Sequence, residues 1–102
     1  MAWRVIWTLP MFEDLEASAN YIAKDSPAYA SAFVREVRAA GLSLRKTAMR
    51  GSIVPELDDP SIREILVRNH RLVYKVQSTR IVLPRLIHGA RDFPTAWKER
   101  RR

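Results

Sequence analysis

Apolar and polar positions alternate along this chain in two distinct periods. From Ser61 to Asp92 three aliphatic runs are cut by two polar breaks, Arg68-Asn69-His70 and Ser78-Thr79-Arg80. Runs of that length, rich in Ile, Val and Leu, predict an antiparallel three-stranded meander. Within its middle strand, Leu72, Tyr74 and Val76 share one face, and Arg71, Val73, Lys75 and Gln77 share the other. One face suits a core; the other is basic without being wholly polar. That pattern predicts a sheet with helices on one side only. Pro84 in the third run cannot donate to a ladder, which implies an edge position or a bulge.

The first half switches period. Trp3-Arg4-Val5-Ile6-Trp7-Thr8 is β-branched and aromatic, stops before Pro10, and reads as a first strand. Phe12, Leu15, Ala19 and Ile22 recur at helical steps and predict a helix from about Pro10 to Lys24, with Thr8 as its N-cap. Ser26-Pro27 then opens a second helix, Ser26 capping it and Pro27 in its first turn. Its stripe is Ala30, Phe33, Val37, Ala40 and Leu44, and the spacing carries it to about Lys46–Met49. Gly41 should weaken it by about 1 kcal/mol relative to Ala, unless close packing uses the missing side chain. The short connection makes the pair an antiparallel hairpin. Residues 50–60 read as a loop, and the tail from Phe93 holds one helical turn before a mobile basic end.

Composition narrows the class. A chain of 102 residues with 47% hydrophobic content is one domain, able to bury roughly 60–70% of its unfolded surface. It has no cysteine and two histidines, so neither a thiolate nor a zinc site is expected, and no cofactor. Arg4 and Pro10 break any signal-peptide core, and no run reaches membrane-spanning length. These features point to a soluble, cytoplasmic protein with no membrane partner.

Charge adds direction. Residues 1–34 hold two basic groups against four acidic ones, and residues 35–102 hold sixteen against seven. A chain polarised this way suits nucleic acid, a nucleic-acid machine or an acidic protein segment. The candidate contact residues are Arg63, Arg71, Lys75, Arg85, His88 and Arg91, all on or beside the predicted sheet. Several Arg and Lys on one face could hold phosphates, and a His, Lys or Tyr could serve as general acid or base. His88, at a strand end beside Gly89, is the candidate with a near-neutral side chain.

Strand, helical hairpin and meander come with Arg-Leu-Val-Tyr-Lys-Val (71–76) and Ile-His-Gly-Ala-Arg-Asp (87–92). Further matches are Val5-Ile6-Trp7-Thr8, Asp14-Leu15, Tyr21-Ile22-Ala23, Ser26-Pro27, Val54-Pro55-Glu56-Leu57 and Ser61-Ile62-Arg63-Glu64. In this order they resemble the RelE/ParE superfamily of bacterial type II toxins, over about Val5 to Phe93. The resemblance implies an α+β fold, βααβββ, with the helical hairpin on one face of a small, mainly antiparallel sheet. It implies a cognate antitoxin, acidic, partly disordered and of the ribbon-helix-helix kind, and growth inhibition when that antitoxin is lost. RelE-like members cut mRNA in the ribosome with sheet Lys and Arg residues and often a Tyr or His after the last strand; ParE-like members poison DNA gyrase. Here no lysine lies between Lys46 and Lys75, and neither Tyr nor His follows His88. The resemblance therefore implies the ParE branch, a gyrase-inhibiting binding protein with no catalytic residues. In the RelE-like alternative, a ribosome-dependent, metal-independent endoribonuclease, Arg63, Arg71, His88 and Arg91 would surround the phosphate.

Overall fold

The computed structural model describes residues 2–99. Its elements run β1 (Arg4–Trp7), α1 (Leu9–Ala23), α2 (Pro27–Ser43), β2 (Ser52–Ile53), β3 (Ile62–Val67), β4 (His70–Val76), β5 (Arg80–His88) and α3 (Phe93–Lys98). The strands form one sheet in the order β1-β5-β4-β3-β2, with β1 parallel to β5 and the other pairs antiparallel. This is the expected hairpin-on-sheet α+β architecture, with a two-residue strand and a short helix added. The basic end of the tail, residues 100–102, lies outside the described residues.

Both helix starts follow from their caps. The Thr8 hydroxyl accepts from Met11 N–H and donates to Leu83 C=O at 2.7 Å, tying the start of α1 to β5. Ser26 accepts from Tyr29 N–H, and Pro27 sits where its missing N–H leaves no intrahelical bond unmade. The α2 stripe packs as its spacing predicts: Ala30, Phe33, Val37 and Leu44 are buried and Ala40 half-buried. The helix stops at Ser43, short of 46–49, because the Ser43 hydroxyl donates to the Ala40 carbonyl and Leu44 N–H turns back to Gly41. At Gly41 a Cβ would overlap the Trp7 indole, so close packing does use the missing side chain.

Three expectations are corrected. On α1 Leu15 and Ile22 pack against the core as their spacing predicts, but the fully buried positions are Met11 and Asp14, while Phe12 is 49% exposed and stacks on Trp7. The helix is rotated so that a carboxylate points inward. Second, His70 and Arg80 belong to strands rather than turns; only Arg68 and Asn69 connect β3 to β4, with Arg68 at a φ of 53°. At Pro84 the second of the two readings, a bulge, holds: Val73 pairs with Arg85 and Lys75 with Val82, leaving Leu83 and Pro84 opposite Tyr74, just where β1 ends. Third, the second face is not left bare of helices. Val54, Ile62, Val73, Ile87, Phe93 and Ala96 form a small second core there, with α3 lying on it.

Candidate functional site

The bulge decides where the basic residues go. Beyond Leu83 the outer side of β5 has lost its β1 partner, and α1 takes that place. Leu86 N–H donates to Asp14 Oδ2 at 3.0 Å, and Arg85 grips the same carboxylate through Nε and Nη2 at 2.7 and 3.0 Å. Arg85 Nη1 donates to the carbonyls of Ala96 and Glu99. Arg85 is buried, so it joins α1, β5 and α3 instead of presenting charge to a partner.

Arg71 is committed as well. Its guanidinium is held bidentately by Glu56, at 2.9 and 2.6 Å, and by Glu64, and it lies 4.2 Å from the centroid of the Phe93 ring. Those hydrogen bonds raise its pKa above the ordinary arginine value and hold Glu56 below the usual carboxylate range. Arg63 points to the hairpin face, where Nη1 donates to Gly51 C=O at 2.7 Å beside Tyr74. Gly51 N–H donates to the Tyr74 hydroxyl at 2.7 Å, and a Cβ on Gly51 would overlap the Glu64 carbonyl. Lys75 is half-exposed on the second face, with Nζ 3.9 Å from Asp59.

His88 and Arg91 are the two candidates that reach a common groove. It lies between the helical hairpin and the far end of β4–β5, with a volume of about 380 Å³. Tyr21 and Tyr29 stand on its helical side, 73% and 44% exposed. Arg68 caps Tyr29 with its guanidinium 4.1 Å from the ring centroid and is held bidentately by Glu36, which raises the arginine pKa and lowers that of the carboxylate. Arg91 pairs with Glu99 at 3.1 and 3.2 Å. His88 Nδ1 accepts from Ala90 N–H at 3.0 Å, so its ring proton sits on Nε2.

His70, which the sequence places in a turn and outside the candidate set, belongs to this groove. It is the register partner of His88, with ring centroids 4.8 Å apart, and its other side meets Phe33 at 4.6 Å. Nε2 lies 3.1 Å from Ser18 Oγ, and Nδ1 is buried without a hydrogen-bond partner. Burial first, and the neighbouring His88 second, push its pKa down to about 4, so it is neutral at pH 7. The signal was available: the alternation of Leu72, Tyr74 and Val76 runs back one step to His70.

Arg71 and His88 also border a shallower cleft at the same end of the sheet, but Arg71 projects from the opposite face. Arg63 lies three residues back along β3 from Leu66, the partner of Arg71, and faces the hairpin. The set Arg63, Arg71, His88 and Arg91 therefore does not converge. Among the described residues no group of three or more His, Cys, Asp or Glu could hold a metal, and no helix is long and apolar enough to cross a membrane.

Comparison with solved structures gives the same architecture. A chain of the chromosomal ParDE toxin–antitoxin system from P. aeruginosa matches with a TM-score of 0.70 and 20% identity, over 85% of this chain and 96% of that one. A chain of the toxin–antitoxin complex RelBE2 from Mycobacterium tuberculosis matches with a TM-score of 0.57 and 22% identity, over 86% and 99%. No curated protein sequence matches. The family described as the ParE toxin of the type II toxin–antitoxin system parDE matches residues 5–93, from the first strand to the start of α3. With nearly the whole described fold inside that match, the chain belongs to the ParE toxin family of type II toxin–antitoxin systems.

Proposed function

We propose that this toxin acts in the cytoplasm by binding and inhibiting DNA gyrase, without catalysis of its own, and that a cognate antitoxin neutralises it. The observation that carries this reading is the internal pairing of the sheet arginines. Arg71, which a ribonuclease would aim at a scissile phosphate, is held by Glu56 and Glu64, and Arg85, a contact candidate, by Asp14. Turning Arg71 to a phosphate would strip Glu56 and the half-buried Glu64 of their shared cation. A surface that binds, rather than a cluster that transfers protons, fits this arrangement.

The groove supports the antitoxin part. Its exposed Tyr21 and Tyr29 give apolar area with a polar tip, and Arg68, His88 and Arg91 rim it. An acidic, partly disordered segment, carried by a ribbon-helix-helix protein, would order on such a surface. Lys75, half-exposed on the other face, remains a target-contact candidate.

The RelE-like alternative draws on the RelBE2 likeness and on His88 and Arg91 sharing the groove. One experiment separates the two. Purified toxin is added to a gyrase supercoiling assay and to a cell-free translation reaction followed by primer extension of the message. Loss of supercoiling with intact mRNA is expected. Codon-spaced cuts with normal supercoiling would replace the gyrase reading with the ribonuclease one.

A further inference from the structure

The hairpin and α3 between them leave one part of the sheet open. It lies on the second face, at the end where β1 and β5 begin. There Ile6 and Val82 are register partners, half-buried, with Lys75 beside Val82 on β4. One row further out, Arg4 and Arg80 are register partners on parallel strands about 4.8 Å apart, and both are exposed. Strand alternation puts Arg4, Ile6, Lys75, Arg80 and Val82 on this same face.

Like charges directly opposite one another destabilise a sheet unless something neutralises them. Nothing among the described residues does so here. Arg80 Nε donates to Gln77 Oε1, a neutral group, and no carboxylate forms an ion pair with Arg4 or Arg80. Lys75 has only the long, exposed approach of Asp59 at 3.9 Å, which solvent screens. Elsewhere on the sheet the contrast is complete: Arg71 and Arg85 have short carboxylate partners and Arg63 a backbone carbonyl.

We propose that the strip Arg4–Arg80–Lys75 is a docking surface for the phosphodiester backbone of a nucleic acid. Evenly spaced phosphates would remove the repulsion between Arg4 and Arg80, and Lys75 would exchange Asp59 for a phosphate. The cations stand on adjacent strands in register, two strand positions apart along β5, and that regular spacing favours a regular polyanion over an acidic peptide. Contacts of this kind read charge and not sequence. The strip is at the first residue of β5 and the histidine groove at its last, about 27 Å apart along a nine-residue strand, so a partner in the groove leaves the strip open. The inference goes beyond the choice of gyrase or ribosome, since it concerns neither the groove nor catalysis.

The test is fluorescence anisotropy of the intact chain at low salt with a labelled duplex DNA of ~20 base pairs and a single-stranded RNA of the same length. Binding of the duplex should weaken with salt, with a log–log slope of roughly −2.7 for three phosphate contacts. The double variant Arg4→Gln/Arg80→Gln should lose about tenfold in affinity or more and flatten the slope by about 1.8. The equally discharged Arg35→Gln/Arg38→Gln variant, altered on the exposed side of α2, should bind as the parent does, with circular dichroism confirming that both variants fold. Tighter binding of the RNA than of the duplex identifies the backbone source as single-stranded. Equal losses in the two variants would reduce the effect to net charge and overturn the proposal. So would the absence of saturable binding, or a glutamate-rich peptide that binds more tightly than either nucleic acid.

Discussion

Two arginine–carboxylate pairs in this molecule have nearly the same geometry and opposite meanings. Arg85 and Asp14 meet bidentately with side chains only 7% and 2% exposed; Arg68 and Glu36 meet bidentately with 30% and 44%. The exposed pair gives up little when it breaks, because water solvates both groups at once. In the buried pair each charge has lost its hydration, and the other group, the surrounding backbone and the Glu99 carboxylate 3.7 Å from Arg85 stand in for it. Asp14 also serves Leu86 N–H where β1 ends, and Arg85 also serves two carbonyls at α3. The buried pair therefore holds three elements together, while the exposed one trims a groove.

The largest effect expected from this contrast is on Asp14. Asp14→Ala takes from a buried guanidinium its nearer carboxylate, leaving the Glu99 carboxylate at 3.7 Å, and takes the acceptor from an edge N–H; it should destabilise the fold by about 3–5 kcal/mol, read by urea denaturation. The double variant Asp14→Leu/Arg85→Met, which removes both charges, should recover a large part of that loss. A double variant no more stable than Asp14→Ala would show that the backbone bonds, and not the charge pair, carry the stability.

His70 sharpens the comparison by being buried with no counter-charge at all. Its folded pKa of about 4 lies below the unfolded value near 6.5. The folded state holds the ring neutral, and the unfolded state takes up the proton first. Its contribution is thus fully present above pH 6.5 and lost as pH falls from about 6.5 to about 4, on the order of 3 kcal/mol. Unfolding free energy measured across that window should fall for the parent and fall less for His70→Leu. A slope that persists unchanged in the variant would assign the loss to other groups.

Glu36→Gln should give the smallest change, with a melting temperature indistinguishable from that of an ordinary surface substitution. A large loss there would mean that the Arg68 turn, with its positive φ, depends on this pair.

Much of this fold is legible in the residues taken in order. Caps at Thr8 and Ser26, the Phe33–Val37–Leu44 stripe, the break at residues 50–60 and the alternation along β4 are local patterns with local causes. They determine two helices, a meander and the order βααβββ. What no local pattern could decide is how charges separated by most of the chain pair off. Asp14, between Glu13 and Glu16, looks like a solvated residue until Arg85, 71 residues later, turns it inward. Likewise Arg71 reads as a surface cation until the loop bearing Glu56 folds over it. The bulge at Pro84 exposes the edge that Asp14 covers, and it brings His70 opposite His88. Periodicity reports which face a residue occupies; Coulomb energy and desolvation depend on what stands across from it, and only the tertiary fold supplies that neighbour.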